Sequence, residues 1–207
     1  MNLKDSLAYS CNTSFANIGS QLNIQKFRST CDSLYFNKAI PFDNVSKSSF
    51  VLTGISDKSE VPQTAIGQGN TLVTPLHNSL IMASIANGGV MMKPMMIDRV
   101  ENADGALVKK YKPEVCDTLM TVSEAEELRN LMSGVTEYGT ASWKFSGTSI
   151  VGKTGTAEYD SEGHCNSWFS GFDTENDIVV CCIVEDSGSN GLTGVEVAGR
   201  VFDTYIK

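Results

Sequence analysis

The residues best equipped for chemistry lie together at Gly152-Lys153-Thr154-Gly155-Thr156-Ala157. A lysine and two threonine hydroxyls on alternating positions of a strand would set a cation and hydrogen-bond donors over one surface. Such a surface suits a carboxylate, with Lys153 supplying charge and Thr154 and Thr156 supplying directed hydrogen bonds. Gly155 would let another backbone or a ligand approach closely. Gly-Lys-Thr also resembles part of a phosphate loop; the spacing back to Gly147 is taken to exclude the full motif, and no nucleotide is expected. The second candidate is Ser10-Cys11-Asn12. Serine and asparagine sit poorly inside a helix, because their side chains compete for backbone hydrogen bonds. The functional reading is a break between two helices that points a hydroxyl and an amide into a cleft. The plainer alternative is an exposed helix face.

The elements that must position these groups follow from hydrophobic spacing. Leu3, Leu7, Cys11, Phe15, Ile18 and Leu22 recur at three and four residues, which predicts one or two helices in the first 23 positions. A short helix follows over Gln25 to Phe36. Residues 37 to 70 read as irregular, broken by Pro41, Gly54, Pro62, Gly67 and Gly69. Thr74 as N-cap, Pro75 in the first turn and Gly88-Gly89 at the end bound a largely buried helix. His77 on that helix is expected to pack, not to react. Strands over Met96 to Glu101 and Ala106 to Tyr111 flank a turn at Asn102-Ala103-Asp104-Gly105. Ser123 with Glu126 reads as a capping box for a helix ending near Gly139. Ser149 to Glu158, Ser167 to Asp173 and Asp177 to Glu185 read as three successive strands, closed by a helix over Val195 to Tyr205. Helices first, then a strand meander, predict an α+β fold with an antiparallel sheet.

Composition removes whole classes of function. The 207 residues hold 16 Lys+Arg against 24 Asp+Glu, a net charge of −8. That balance argues against a nucleic-acid binder that neutralises phosphates. The longest apolar run, Ile178 to Val184, has strand length and not bilayer length. The six cysteines show no C-x-x-C spacing and are read as buried free thiols. Asp160, Glu162, His164 and Cys165 lack a helix or hairpin to converge them, so no metal site and no cofactor are expected.

Ser-x-Asn at Ser10 and Asn12, followed far downstream by Lys-Thr-Gly at Lys153, matches two elements of the signature of penicillin-binding proteins and serine β-lactamases. Further stretches agree: Gly67-Gln68-Gly69 leading to Thr74-Pro75-Leu76, Ala86-Asn87-Gly88-Gly89, Tyr138-Gly139-Thr140-Ala141, and Trp168-Phe169-Ser170-Gly171-Phe172. The chain resembles the transpeptidase domain of penicillin-binding proteins, most closely the class B type, over nearly its whole length. The resemblance implies an incomplete β-lactamase/transpeptidase-like α+β fold over residues 1–207, helical over about 1–140, with sheet-forming residues at about 90–112 and 149–207.

The resemblance also implies roles. Ser10 would join a proton relay and Asn12 would hold the substrate's peptide amide. Lys153 would set the electrostatics around Ser10 and the substrate carboxylate. Thr154, Gly155 and Thr156 would form the carboxylate site, with the Thr156 N–H as half of an oxyanion hole. The partner implied is a peptidoglycan stem peptide or a β-lactam, in a parent protein held at the cell membrane with this domain on the extracytoplasmic side. One element departs: no serine in the chain has lysine three residues later. The chain is therefore expected to be the C-terminal part of a D,D-transpeptidase domain, inactive alone for want of the nucleophilic serine. A non-catalytic peptidoglycan- or partner-binding homologue is the alternative. A serine β-lactamase fragment fits less well, because the Gly-Gln-Gly element suits transpeptidases better. The family's N-terminal strands complete the sheet beside its last strand. Here the edge near Asp177 to Glu185 is therefore expected to pair with another copy or to be covered by some other segment.

Overall fold

The computed structural model describes residues 1–52 and 59–206, of Ser189 and Asn190 the backbone only. The first helix, α1 (Leu3–Ala8), starts at Asn2, whose side chain accepts from the Asp5 N–H at 2.8 Å. It stops because Ser10 turns into the left-handed region at φ 53°. A non-glycine residue there carries a steric cost and breaks the helical path. The chain resumes as α2 (Asn12–Gln21), so the expected stretch is two helices with the break at Ser-x-Asn. α3 (Ile24–Ser33) is capped by Asn23. Phe27, Phe36, Phe50 and Val61 then form a small satellite core under the irregular segment. That segment contains one helix the sequence reading lacked, α4 (Glu60–Ala65). Gly54 lies outside the described residues.

α5 (Pro75–Ala86) has the expected boundaries, with the Thr74 hydroxyl accepting from the His77 N–H at 3.1 Å. Gly89 must be glycine: at φ +94° any Cβ would stand 2.0 Å from the Met120 carbonyl oxygen. The close approach lets β1 (Val90–Met92) pair antiparallel with β4 (Val115–Thr118), a ladder not foreseen. The expected hairpin is present as β2 (Arg99–Glu101) and β3 (Leu107–Lys110), but as a separate two-stranded sheet with both strands exposed.

α6 (Val122–Glu137) corrects the expected cap. Thr121 and Glu124 form the box, not Ser123 and Glu126. The Ser/Thr-x-x-Glu spacing occurs twice in overlapping register. The upstream pair closes because Thr121 is still extended while Ser123 is already in the helix. After α7 (Ser142–Phe145) come β5 (Ile150–Glu158), β6 (Cys165–Asp173) and β7 (Val179–Val184), the expected antiparallel meander in the order β5-β6-β7. A one-turn α8 (Ser187–Asn190) precedes α9 (Gly194–Tyr205), which Thr193 and Glu196 cap.

The sheet is a middle layer. On one face α5 and α6 bury Ile85, Met132, Val151 and Phe172. On the other α7 and α9 bury Phe145, Phe169, Val180 and Phe202, with the Phe145 and Phe169 ring centroids 4.9 Å apart. Each such aromatic stabilises the fold by about 1.5–3 kcal/mol through burial. Of the six cysteines Cys31 alone is buried and five are half-buried, all as free thiols. No helix among the described residues is long and apolar enough to cross a membrane.

Candidate active site

Ser10 and Lys153 meet. The Lys153 ammonium donates to Ser10 Oγ at 2.9 Å and to the Thr154 carbonyl oxygen, also at 2.9 Å. Burial pushes the Lys153 pKa down to about 8, because an ammonium loses hydration when it is partly enclosed. Ser10 is exposed and stands at the break after α1; Asn12, also exposed, opens α2 two residues later. The helix break thus brings Ser10 to Lys153 of β5, while Asn12 stands two residues further on at the start of α2.

The strand corrects one expectation. Lys153 does not share a face with Thr154 and Thr156. Lys153 pairs across the sheet with Ser170, Thr154 with Phe169 and Thr156 with Ser167, so the period-2 alternation sends the lysine to one face and both threonines to the other. The cation folds back onto the Thr154 main-chain carbonyl at the strand's edge. At Gly155 a Cβ would stand 3.2 Å from Trp168 Cβ, so the missing side chain allows the close approach of the neighbouring strand.

Two further residues touch this edge, and neither was among the expected site residues. The Thr140 and Thr154 hydroxyl oxygens are 2.7 Å apart. The Gln68 side-chain amide donates to the Thr156 carbonyl oxygen at 3.3 Å. Both lie inside segments quoted for the resemblance, but nothing in their types or spacing shows that they reach β5. The segment carrying Thr140 is itself tied to α1: the Tyr138 hydroxyl donates to Asp5 Oδ1 at 2.9 Å and the Thr140 N–H to the Ala8 carbonyl at 3.0 Å.

The spacing of a phosphate loop is in fact complete, contrary to expectation. Gly147, four residues, then Gly152-Lys153-Thr154 satisfies G-x-x-x-x-G-K-S/T. Conformation excludes it instead. Ile150 and Val151 are buried strand residues, β5 runs unbroken from Ile150 to Glu158, and no helix begins at Thr154 to present its N–H groups to a phosphate. At the β5–β6 turn, His164 Nδ1 lies 2.6 Å from Asp160 Oδ2, with Tyr159 stacked on the ring at 6.0 Å. Among the described residues no group of three or more His, Cys, Asp or Glu could hold a metal ion.

The arrangement is an amine of reduced basicity on a serine hydroxyl, beside a strand edge lined by hydroxyls. It can move a proton through Ser10 and hold an anion that accepts hydrogen bonds. A family model described as penicillin binding protein transpeptidase domain matches residues 1–207. The chain belongs to the penicillin-binding protein transpeptidase family. Among its relatives, peptidoglycan D,D-transpeptidase PbpA of Mycolicibacterium smegmatis is 26% identical over 207 residues, covering 97% of this chain and 42% of the relative. Penicillin-binding protein 2A of Bacillus subtilis is 34% identical over 131 residues, 59% of this chain and 18% of that one. Among solved structures, penicillin-binding protein A of M. tuberculosis as its ceftriaxone acyl-enzyme superposes with a TM-score of 0.88 at 25% identity, covering 100% of this chain and 49% of that chain. The D,D-transpeptidase domain from Eggerthella lenta gives 0.84 at 27%, covering 97% and 51%. The chain thus spans about half or less of these family members, and its fold is that part of the transpeptidase fold.

Proposed function

We propose that these residues supply the binding and proton-relay part of a peptidoglycan D,D-transpeptidase site, which cross-links stem peptides through an acyl-serine and is blocked by β-lactams. The observation that carries the reading is the Lys153–Ser10 bond at 2.9 Å, between residues 143 positions apart. It joins the two family motifs in one place, at the edge where Thr154 and Thr156 stand. The relatives' printed names, D,D-transpeptidase and penicillin-binding protein, support the substrate class.

In this reading Lys153 attracts the stem peptide's carboxylate and passes protons through Ser10. Thr154 and Thr156 bond the carboxylate, Gly155 keeps the strand flat against Trp168, and Asn12 holds the peptide amide. The nucleophile of the reaction is a serine of a Ser-x-x-Lys motif, which the 207 residues do not contain. By themselves they bind reversibly and form no acyl adduct. The parent works at the cell membrane with this domain on the extracytoplasmic side. Among the described residues β7 pairs only with β6, and its outer edge takes a second copy of the chain.

Intact-mass measurement after incubation with labelled penicillin tests the chemistry. The expected spectrum shows the unmodified mass alone. A stoichiometric adduct would mean that a residue of this chain is itself the nucleophile. The non-catalytic alternative rests on the same missing motif and differs in one measurable way. Supplying a Ser-x-x-Lys segment in the same reading frame would restore acylation under the first reading and not under the second.

A further inference from the structure

We propose that Thr140 is a positioning residue that fixes the Thr154 hydroxyl so that its single proton is left for a ligand carboxylate. The proposal rests on the reading of this edge as a carboxylate site. The two oxygens are 2.7 Å apart, the usual length of a good O–H···O bond, and either can be the donor. Each hydroxyl has one proton and two lone pairs. An ionised carboxylate only accepts. Once one is bound to Thr154, the Thr154 proton is committed to it, and the bond to Thr140 survives only with Thr140 donating. The result is a chain, Thr140 to Thr154 to carboxylate, in which each bond polarises the next. A ligand that donates at the same place, such as a carboxamide NH₂, would occupy one lone pair of Thr154 and leave its proton free for Thr140, so that Thr140 need not donate.

Thr140 is held where this works. Its N–H donates to Ala8 at 3.0 Å, the flanking Gly139 N–H to Gly134 at 2.9 Å and the Ala141 N–H to Val135 at 3.0 Å. Ala141 is fully buried, and a Cβ on Gly139 would lie 2.3 Å from the Ala8 oxygen, so the strap has no room to shift. Ala8 ends the helix that leads to Ser10. One short segment therefore sets both the Ser10 side and the Thr154 side of the site.

The test compares wild type, Thr140→Val (the hydroxyl removed at nearly constant volume) and Thr140→Ser (the hydroxyl kept). Two measurements are made on the 207-residue chain. The first is affinity for N-acetyl-D-Ala-D-Ala as the free acid and as its C-terminal amide. The second is the Thr154 χ1 distribution, from three-bond carbon–nitrogen couplings. Wild type should prefer the acid. Thr140→Val should lose roughly fivefold in affinity for the acid, the worth of one net hydrogen bond, with little change for the amide. Thr140→Ser should stay close to wild type. Thr154 should hold one rotamer in wild type and Thr140→Ser and average in Thr140→Val. Unaltered Thr154 couplings in Thr140→Val, or equal losses for acid and amide, would overturn the positioning role. Wild type binding acid and amide alike would instead overturn the carboxylate reading, and with it the ligand assigned here.

Discussion

The Lys153 ammonium sits 2.9 Å from Ser10 Oγ although the two residues lie 143 positions apart in the sequence. The contact exists because α1 stops at a left-handed serine and because a strap from α6 fastens α1 to β5. Both causes lead to measurable consequences.

Lys153 should titrate near pH 8, not near the ordinary lysine value of 10.5, because burial disfavours its charged form. Carboxylate affinity should hold below pH 7 and decline as pH rises through 8. For stability the sign is opposite. Between pH 8 and 10.5 the unfolded chain binds the proton that the folded one has lost, so the Lys153 contribution to stability rises with pH there. Lysine side-chain NMR against pH checks both. A midpoint near 10.5 would contradict the burial.

Gly139→Ala should destabilise the fold by about 1–3 kcal/mol, the usual cost of forcing a methyl into a filled space. The added Cβ would meet the Ala8 carbonyl at 2.3 Å and push α1 away from β5. Chemical denaturation measures the loss. Ligand affinity should fall in the same variant, since Ser10 moves with α1.

The Asp160 carboxylate holds the His164 pKa above its usual value, chiefly through their hydrogen bond. This pair should stabilise the β5–β6 turn below the ordinary histidine pKa, and its contribution should fade as pH rises through the raised one. In Asp160→Asn an NMR titration should return His164 toward 6.5. Ligand affinity should not change, because the turn makes no bond to Ser10, Thr154 or Thr156.

Among the described residues the outer edge of β7 pairs with no strand, and it should drive self-association, since such an edge is a template for another strand. Sedimentation at increasing concentration should show a dimer. A monomer throughout would remove the second copy from the account.

The sheet was legible because β5, β6 and β7 are runs of six to nine residues, β7 continuously apolar, with polar turns between them. α5 was legible because Thr74, Pro75 and Gly88-Gly89 mark both ends chemically. The β1–β4 ladder was not, since strands of three and four residues are too short to show a period. The α6 cap was misassigned because Thr121-Val122-Ser123-Glu124-Ala125-Glu126 contains the box twice. At the site, Ser10, Lys153 and Thr154 were legible through their motifs, but strand alternation put Lys153 on the face opposite the two threonines. Thr140 and Gln68 reach β5 across 14 and 88 positions, contacts that depend on tertiary packing and leave no local signal.

The central claim is that Lys153 and the β5 edge hold a stem-peptide carboxylate. Its most direct test is the equilibrium affinity of the 207-residue chain for N-acetyl-D-Ala-D-Ala at pH 7, in wild type and in Lys153→Met. Loss of a charge-assisted bond should weaken binding by roughly tenfold or more. Equal affinity in the two proteins would contradict the account.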